Sequence, residues 1–157
     1  RFLSGAELKP EKISRLTLTR SNQALTFKSW LDLLKLPPPE SLTTALLPEF
    51  FLGRLDNQAN STLFLLLKVK QPDQGFSGLR QWEKNLPELF QLLTGRTGGQ
   101  IDSLAPVFQN QLKNNLEQRV LKSGDETILL YAFIDQDTIA ITENETTLAE
   151  IIARRNN

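Results

Sequence analysis

Apolar positions recur along this chain with two different periods, and the switching between them predicts an α+β fold. From Ile13 to Thr19, Leu16 and Leu18 share one parity and Thr17 and Thr19 the other, the pattern of a half-buried strand. Ser21 or Asn22 then suits a turn or a helix cap. Phe27, Trp30, Leu31 and Leu34 fall at i, i+3, i+4 and i+7, one face of a helix over about Leu25 to Leu36. Pro37, Pro38 and Pro39 stop it, since each lacks an N–H and disfavours helix in the residue before it. They read as a stiff spacer in preference to a ligand for a proline-recognition domain. A short helix is expected over Ser41 to Leu47, before Pro48.

Glu49 to Leu55 and Ser61 to Lys70 read as a hairpin across the turn-rich Asp56 to Asn60. The continuous apolar run Leu63 to Leu67 marks a central strand. Phe76, Leu79, Glu83, Leu86, Phe90 and Leu93 keep helical spacing, with Trp82 beside the stripe. Pro87 interrupts it, so the helix kinks there or a second one begins. Residues 94–106 form a Gly-rich connection, and Phe108 and Leu112 suggest a short amphipathic helix over Val107 to Leu116. Strands follow at Gln118 to Lys122, Thr127 to Ile134 and Thr138 to Thr142, separated by turns at Ser123 to Glu126 and Asp135 to Asp137. Leu148, Ile151 and Ile152 mark a closing helix, with Thr142 and Glu145 at capping-box spacing and Asn144 as the rival cap. Its acids lie early and Arg154 and Arg155 late, as the helix dipole prefers.

Strands joined by short polar turns pair antiparallel, and the interspersed helices must cover a face of that sheet. The expected architecture is an antiparallel sheet with helices packed mainly on one face. A strand–strand–helix order occurs twice, in Phe50 to Leu93 and Ile128 to Arg154, and would fit an internal duplication. Residues 1–12, with Gly5 and Pro10, read as a linker or loosely docked lead-in, and 13–157 as a single α+β domain.

Composition narrows the chemistry. The 157 residues hold 18 Lys plus Arg against 18 Asp plus Glu, a balance that speaks against nucleic acid as partner and against a polybasic membrane surface. His and Cys are both absent, which removes a Ser-His-Asp triad, a thiol nucleophile, disulfides and His/Cys metal sites. No run approaches the roughly 18 apolar residues of a membrane helix. With Arg1 first and no Met, the expectation is a fragment or processed product, any leader or membrane segment lying upstream.

The remaining candidates each have a plainer reading. Asp135, Asp137, Glu143 and Glu145 are dense enough to suggest calcium or magnesium, but the twelve-residue calcium-loop pattern is missing and turn and cap roles account for all four. Asp32, Glu49, Asp56, Glu83 and Asp102 are available for acid–base work, without a spacing that pairs any two. Gly95, Gly98 and Gly99 with Arg96 lack the Gly-Lys-Ser/Thr ending of a phosphate loop and suit a helix C-cap. Trp30, Trp82, Tyr131 and the nine Phe residues would make a stacking platform, but the core has first claim on them, Trp82 being the one at the edge of its stripe. Asn60-Ser61-Thr62 and Asn144-Glu145-Thr146 match the glycosylation pattern and receive no role. The sequence therefore nominates no catalytic, cofactor-binding or metal residue, and no cofactor.

Three stretches together carry a resemblance: LPEFFLGRLDN (47–57), FLLLKVKQPDQGFSGLRQWEKNLPELF (64–90) and RVLKSGDETILLYAFIDQDTIAITENETTLAEIIARR (119–155). The pattern resembles the C-terminal extracytoplasmic domain of uncharacterised single-pass membrane-anchored proteins from small-genome bacteria, in which a proline-rich tether separates membrane helix from domain. The resemblance implies an envelope location, with the membrane reached only through a segment outside this chain, and supplies no catalytic motif. The leading expectation is a non-catalytic extracytoplasmic interaction or structural module whose partner is another envelope protein or a second copy. The alternatives are a carboxylate-dependent glycan-acting enzyme and a small-ligand-binding domain. Exposed sheet edges, the 56–60 turn and the 94–106 loop are the expected contact regions.

Overall fold

A computed structural model describes residues 12–56, 61–95 and 107–155. The fold is α+β. Its seven-stranded sheet has the order β1-β4-β5-β9-β8-β7-β6, with every neighbouring pair antiparallel. The strands are β1 (Lys12–Leu16), β4 (Leu46–Asp56), β5 (Ser61–Val69), β6 (Phe108–Lys113), β7 (Leu116–Ser123), β8 (Glu126–Phe133) and β9 (Thr138–Thr142). A separate ribbon pairs β2 (Thr19–Arg20) with β3 (Gln23–Ala24). The helices are α1 (Phe27–Leu33), α2 (Glu40–Ala45), α3 (Pro72–Gln81), α4 (Leu86–Thr94) and α5 (Glu145–Arg155).

The sheet separates two cores. On β8, Leu129 and Tyr131 pack with α1 to α4, whereas Leu130 and Ala132 pack with α5. β5 divides in the same way, with Leu65, Leu67 and Val69 toward the four helices, and Phe64 and Leu66 toward the α5 side. This explains the unbroken apolar run of β5, a central strand covered on both faces. Helices thus lie mainly on one face, and among the described residues α5 covers the other. The strand–strand–helix order does recur, as β4-β5-α3 and β8-β9-α5. The two helices leave to opposite faces, whereas a two-fold axis relating the antiparallel β5 and β9 would keep them on one.

Local chemistry accounts for most element ends. Thr26 caps α1, its Oγ1 accepting from the Ser29 N–H at 3.1 Å. Asn144 caps α5, accepting from the Thr147 N–H at 2.8 Å, so the rival cap prevails over Thr142. Pro87 begins α4 after a 3-10 turn at Glu83–Asn85, so the long apolar stripe is two helices. Pro48 sits where the pairing of β4 with β5 slips between Leu46 and Phe50, a gap in which a missing N–H costs little. Ser21 and Asn22 form the turn between β2 and β3, both at positive φ, and cap no helix.

One predicted element is corrected. Val107 to Leu116 holds no helix; β6 occupies it, and Asn114 and Asn115, both at positive φ, turn it into β7. Phe108 and Leu112 are four apart, a spacing that period two satisfies as well as a helix does. Residue 107 onward therefore reads as an edge strand, with Leu112 left 70% exposed. Of the expected lead-in at 1–12, Lys12 opens β1 and the rest lies outside the described residues, as do most of the 56–60 turn and most of the 94–106 connection.

Candidate binding groove

Around Glu83 the fold builds a nearly buried network that joins three strands. The 3-10 turn of Glu83 hands it from the end of α3 onto β7 and β8. Arg119 Nε donates to Glu83 Oε1 at 2.8 Å and Arg119 Nη2 to Oε2 at 2.8 Å, a two-pronged pair. The Tyr131 hydroxyl donates to the same Oε1 at 2.6 Å. Arg119 Nη1 donates to Asn110 Oδ1 at 2.9 Å, which ties in β6. Arg119 and Tyr131 are directly opposite on β7 and β8, and Arg119 and Asn110 on β7 and β6, so strand register alone lines up the three.

Both charged side chains of the pair are nearly buried, at 11% exposure for Arg119 and 13% for Glu83. Their charges cancel at contact distance. The hydrogen bond to Glu83 holds the Arg119 guanidinium even more firmly protonated than usual. Burial, reinforced by Glu83, pushes the Tyr131 phenol far above its ordinary range. The network is thus a clamp between helical layer and sheet, its carboxylate committed to three donors.

Beside this clamp runs a groove between α3 and the β6–β8 end of the sheet. One stretch, about 350 Å³, is lined by Phe76, Arg80, Asn110, Leu112, Glu117 and Arg119, among others. The adjoining stretch, about 610 Å³, is lined by Asp73, Phe76, Ser77, Arg80, Leu116, Glu117 and Phe133. Phe76, Arg80 and Glu117 belong to both, so the two are one open trough. Its floor is aromatic: the Phe76 ring lies 5.5 Å from that of Phe133. Helical spacing sets Asp73, Phe76, Ser77 and Arg80 along one side of α3. Asp73, Arg80 and Glu117 are exposed, and none has an ion-pair or hydrogen-bond partner among the described residues.

The other sequence candidates are dispersed. Asp135 binds Arg155 and accepts from the Asp137 N–H, Asp137 pairs with Lys68 at 3.2 Å, Glu143 accepts from the Leu63 N–H at 2.9 Å, and Glu145 binds Lys113 and Gln111. Lys68 holds the exposed Asp137 carboxyl below its ordinary range, and Lys113 does the same for Glu145. Asp135 serves its own turn, whereas Asp137, Glu143 and Glu145 reach across to β5 and β6 instead of capping a helix, a role that Asn144 takes; no metal-holding group of three occurs among the described residues. Asp32 pairs with Lys28 along α1, Asp56 joins Arg54 and Ser61, and Asp102 lies outside the described residues. Trp82, 2% exposed and edge-on to Phe27, is core and presents no face to a ligand. Gly95 is the left-handed C-cap of α4; Arg96, Gly98 and Gly99 lie outside the described residues.

Sequence reasoning overlooked Arg119 and the partnership of Tyr131 with Glu83. Tyr131 stands within the apolar run LLYAF, but Arg119 lies in the mixed strand LEQRVLKS, where an arginine gives no local sign of burial. Once buried it requires a counter-charge, and nothing local in the sequence says which acid supplies it. Searches against protein-family models, curated proteins and solved structures found no match, so the groove is read from its own geometry.

Proposed function

We propose that this chain is a non-catalytic interaction module of the bacterial cell envelope, extracytoplasmic and membrane-tethered in its full-length form. In this reading the trough between α3 and the β6–β8 end holds a segment of another envelope protein. The location rests on the resemblance of residues 47–57, 64–90 and 119–155. The binding role rests on one observation: the charges in the floor are locked together while those on the rim are unpaired. A reaction centre needs a group poised to exchange a proton or electron pair, and Glu83 is engaged by three donors. A recognition surface needs a rigid floor and available rim groups, which the clamp and Asp73, Arg80 and Glu117 provide.

The test is photo-crosslinking in intact cells, with a crosslinking amino acid placed at Ser77 or Leu112 of the full-length protein and, as control, at the exposed Leu33 on α1. The reading expects a discrete adduct from the two groove positions and none from Leu33. Equal labelling from all three, or none from the groove, defeats it.

The glycan-enzyme alternative has one feature in its favour, since Asp73 and Glu117 border the same trough. Both are solvent-exposed, whereas the acid of such a pair needs an apolar setting to stay protonated. Release of soluble fragments from cell-wall glycan by the wild-type chain, abolished in Asp73→Asn or Glu117→Gln, would transfer the assignment to that reading.

A further inference from the structure

We infer that the trough recognises a carboxylate-bearing peptide segment, seating an apolar side chain on Phe76, Leu116 and Phe133 and a carboxylate at Arg80, Arg119 and Asn110. The inference rests on the binding role proposed above and adds the chemistry of what is bound. Three donor groups converge at the β6 end of the trough. Arg80 is an exposed guanidinium with no partner among the described residues. The Arg119 side chain is 11% exposed, and its bonds to Glu83 and Asn110 use one N–H on each of Nε, Nη1 and Nη2. A guanidinium carries five N–H groups, so these bonds leave two, with the Tyr131 oxygen also acting on the guanidinium. Asn110 accepts through Oδ1, which directs its amide nitrogen, a pure donor, away from Arg119.

The clamp therefore does more than cancel charge. It orients Arg119 and Asn110 before any ligand arrives, so little side-chain entropy is lost on binding. Among the described residues that line the trough, Arg80 supplies the one full positive charge not already compensated at contact distance. Glu117 lines both stretches, as Arg80 does, and repels a second carboxylate. The other end of the trough offers two phenylalanine rings and a leucine, with Ser77 and Asp73 on the helix side. The complementary segment is thus a bulky apolar residue with an acidic group a few positions away. That group is either an Asp or Glu side chain or a free C-terminus.

Random heptapeptides displayed on phage provide the probe, in two formats, one flanked on both sides and one ending in a free carboxylate. Selection on the full 157-residue chain should enrich peptides with Phe, Leu or Ile near an acid. Enrichment confined to one format identifies the source of the carboxylate. Arg80→Glu changes only an exposed side chain, and unchanged far-UV circular dichroism will verify its fold. It should bind the best wild-type peptide at least about tenfold more weakly, the scale of one lost charge-assisted contact, and should enrich Lys or Arg at the acidic position. Asn110→Ala should weaken the same peptide with no change of charge preference. Peptides without an acid, no enrichment, or identical selections by wild type and Arg80→Glu overturn the inference. Crosslinks from Ser77 or Leu112 alongside such a result would leave the binding role standing and remove only its chemistry.

Discussion

Glu83, Arg119 and Tyr131 illustrate how much a few atoms of geometry decide. Each alone would be an expensive residue to bury; together they satisfy one another across three elements. Glu83→Ala leaves the Arg119 guanidinium nearly buried without its counter-charge, and we expect a loss of about 3–5 kcal/mol in urea unfolding. Glu83→Leu combined with Arg119→Met should cost distinctly less than Glu83→Ala alone, because no charge is stranded. A double mutant as unstable as the single would show that packing, and not charge, sets the cost.

Glu145 gives a pH signature at the same scale. Its carboxyl is held low chiefly by the hydrogen bond from Lys113, then by Gln111, with Lys122 also favouring the charged form. A group whose folded pKa lies below its unfolded value of about 4.3 contributes stability above that value. The contribution is lost as pH falls through the folded pKa, because the unfolded state there binds more protons. Unfolding midpoints from about pH 5 to about pH 3 should therefore fall less steeply in Glu145→Gln than in the wild type. Parallel curves would show that the contact with Lys113 is not maintained in solution.

Among elements, the crossing of α2 and α3 is a tight constraint set by backbone. A Cβ on Gly78 would lie 2.7 Å from both the N and the Cα of Leu42, backbone atoms that cannot swing aside. Gly78→Ala must push the two helices apart, at a cost of about 1–3 kcal/mol or more by analogy with overpacked cores. Its midpoint in chemical denaturation should drop, while Gly124→Ala should suffer only from its turn conformation, since no atom lies within 4 Å of a Cβ there. Lys35 poses the opposite case. It follows α1 at φ 59°, a conformation that suits glycine, and its side chain is exposed. Lys35→Gly should raise stability by about 0.5–1 kcal/mol and Lys35→Ala should not; equal effects from both would mean that the lysine side chain matters beyond its backbone.

At the scale of the whole molecule, the strand order dictates where stability resides. β5 and β9 occupy the middle of the sheet, between α5 and the four-helix layer, while β6 closes one edge and β2–β3 stand apart. Native-state amide exchange should be slowest in β5 and β9 and fastest in the β2–β3 ribbon and on β6. Slow exchange on β6 in the free chain would mean that its edge is already covered, and the groove beside it less accessible than proposed.

The α+β class, the hairpins, the break at Pro87 and the closing strand–strand–helix were legible in the sequence because each depends on near neighbours. Period, proline, turn residues and caps all act within a few positions. Val107 to Leu116 shows the limit of that information. Phe108 and Leu112 satisfy both periods, and only pairing of β6 with β7 decides between them. The groove shows it again. The sequence determined which side chains were available for chemistry and, by its lack of His and Cys, which chemistries were not. The tertiary structure alone brought Glu83 to Arg119 and Tyr131, and α3 to the far end of the sheet. Those meetings depend on strand order and on the face each helix covers, long-range choices made by burial of the whole core and carried by no local stretch of residues.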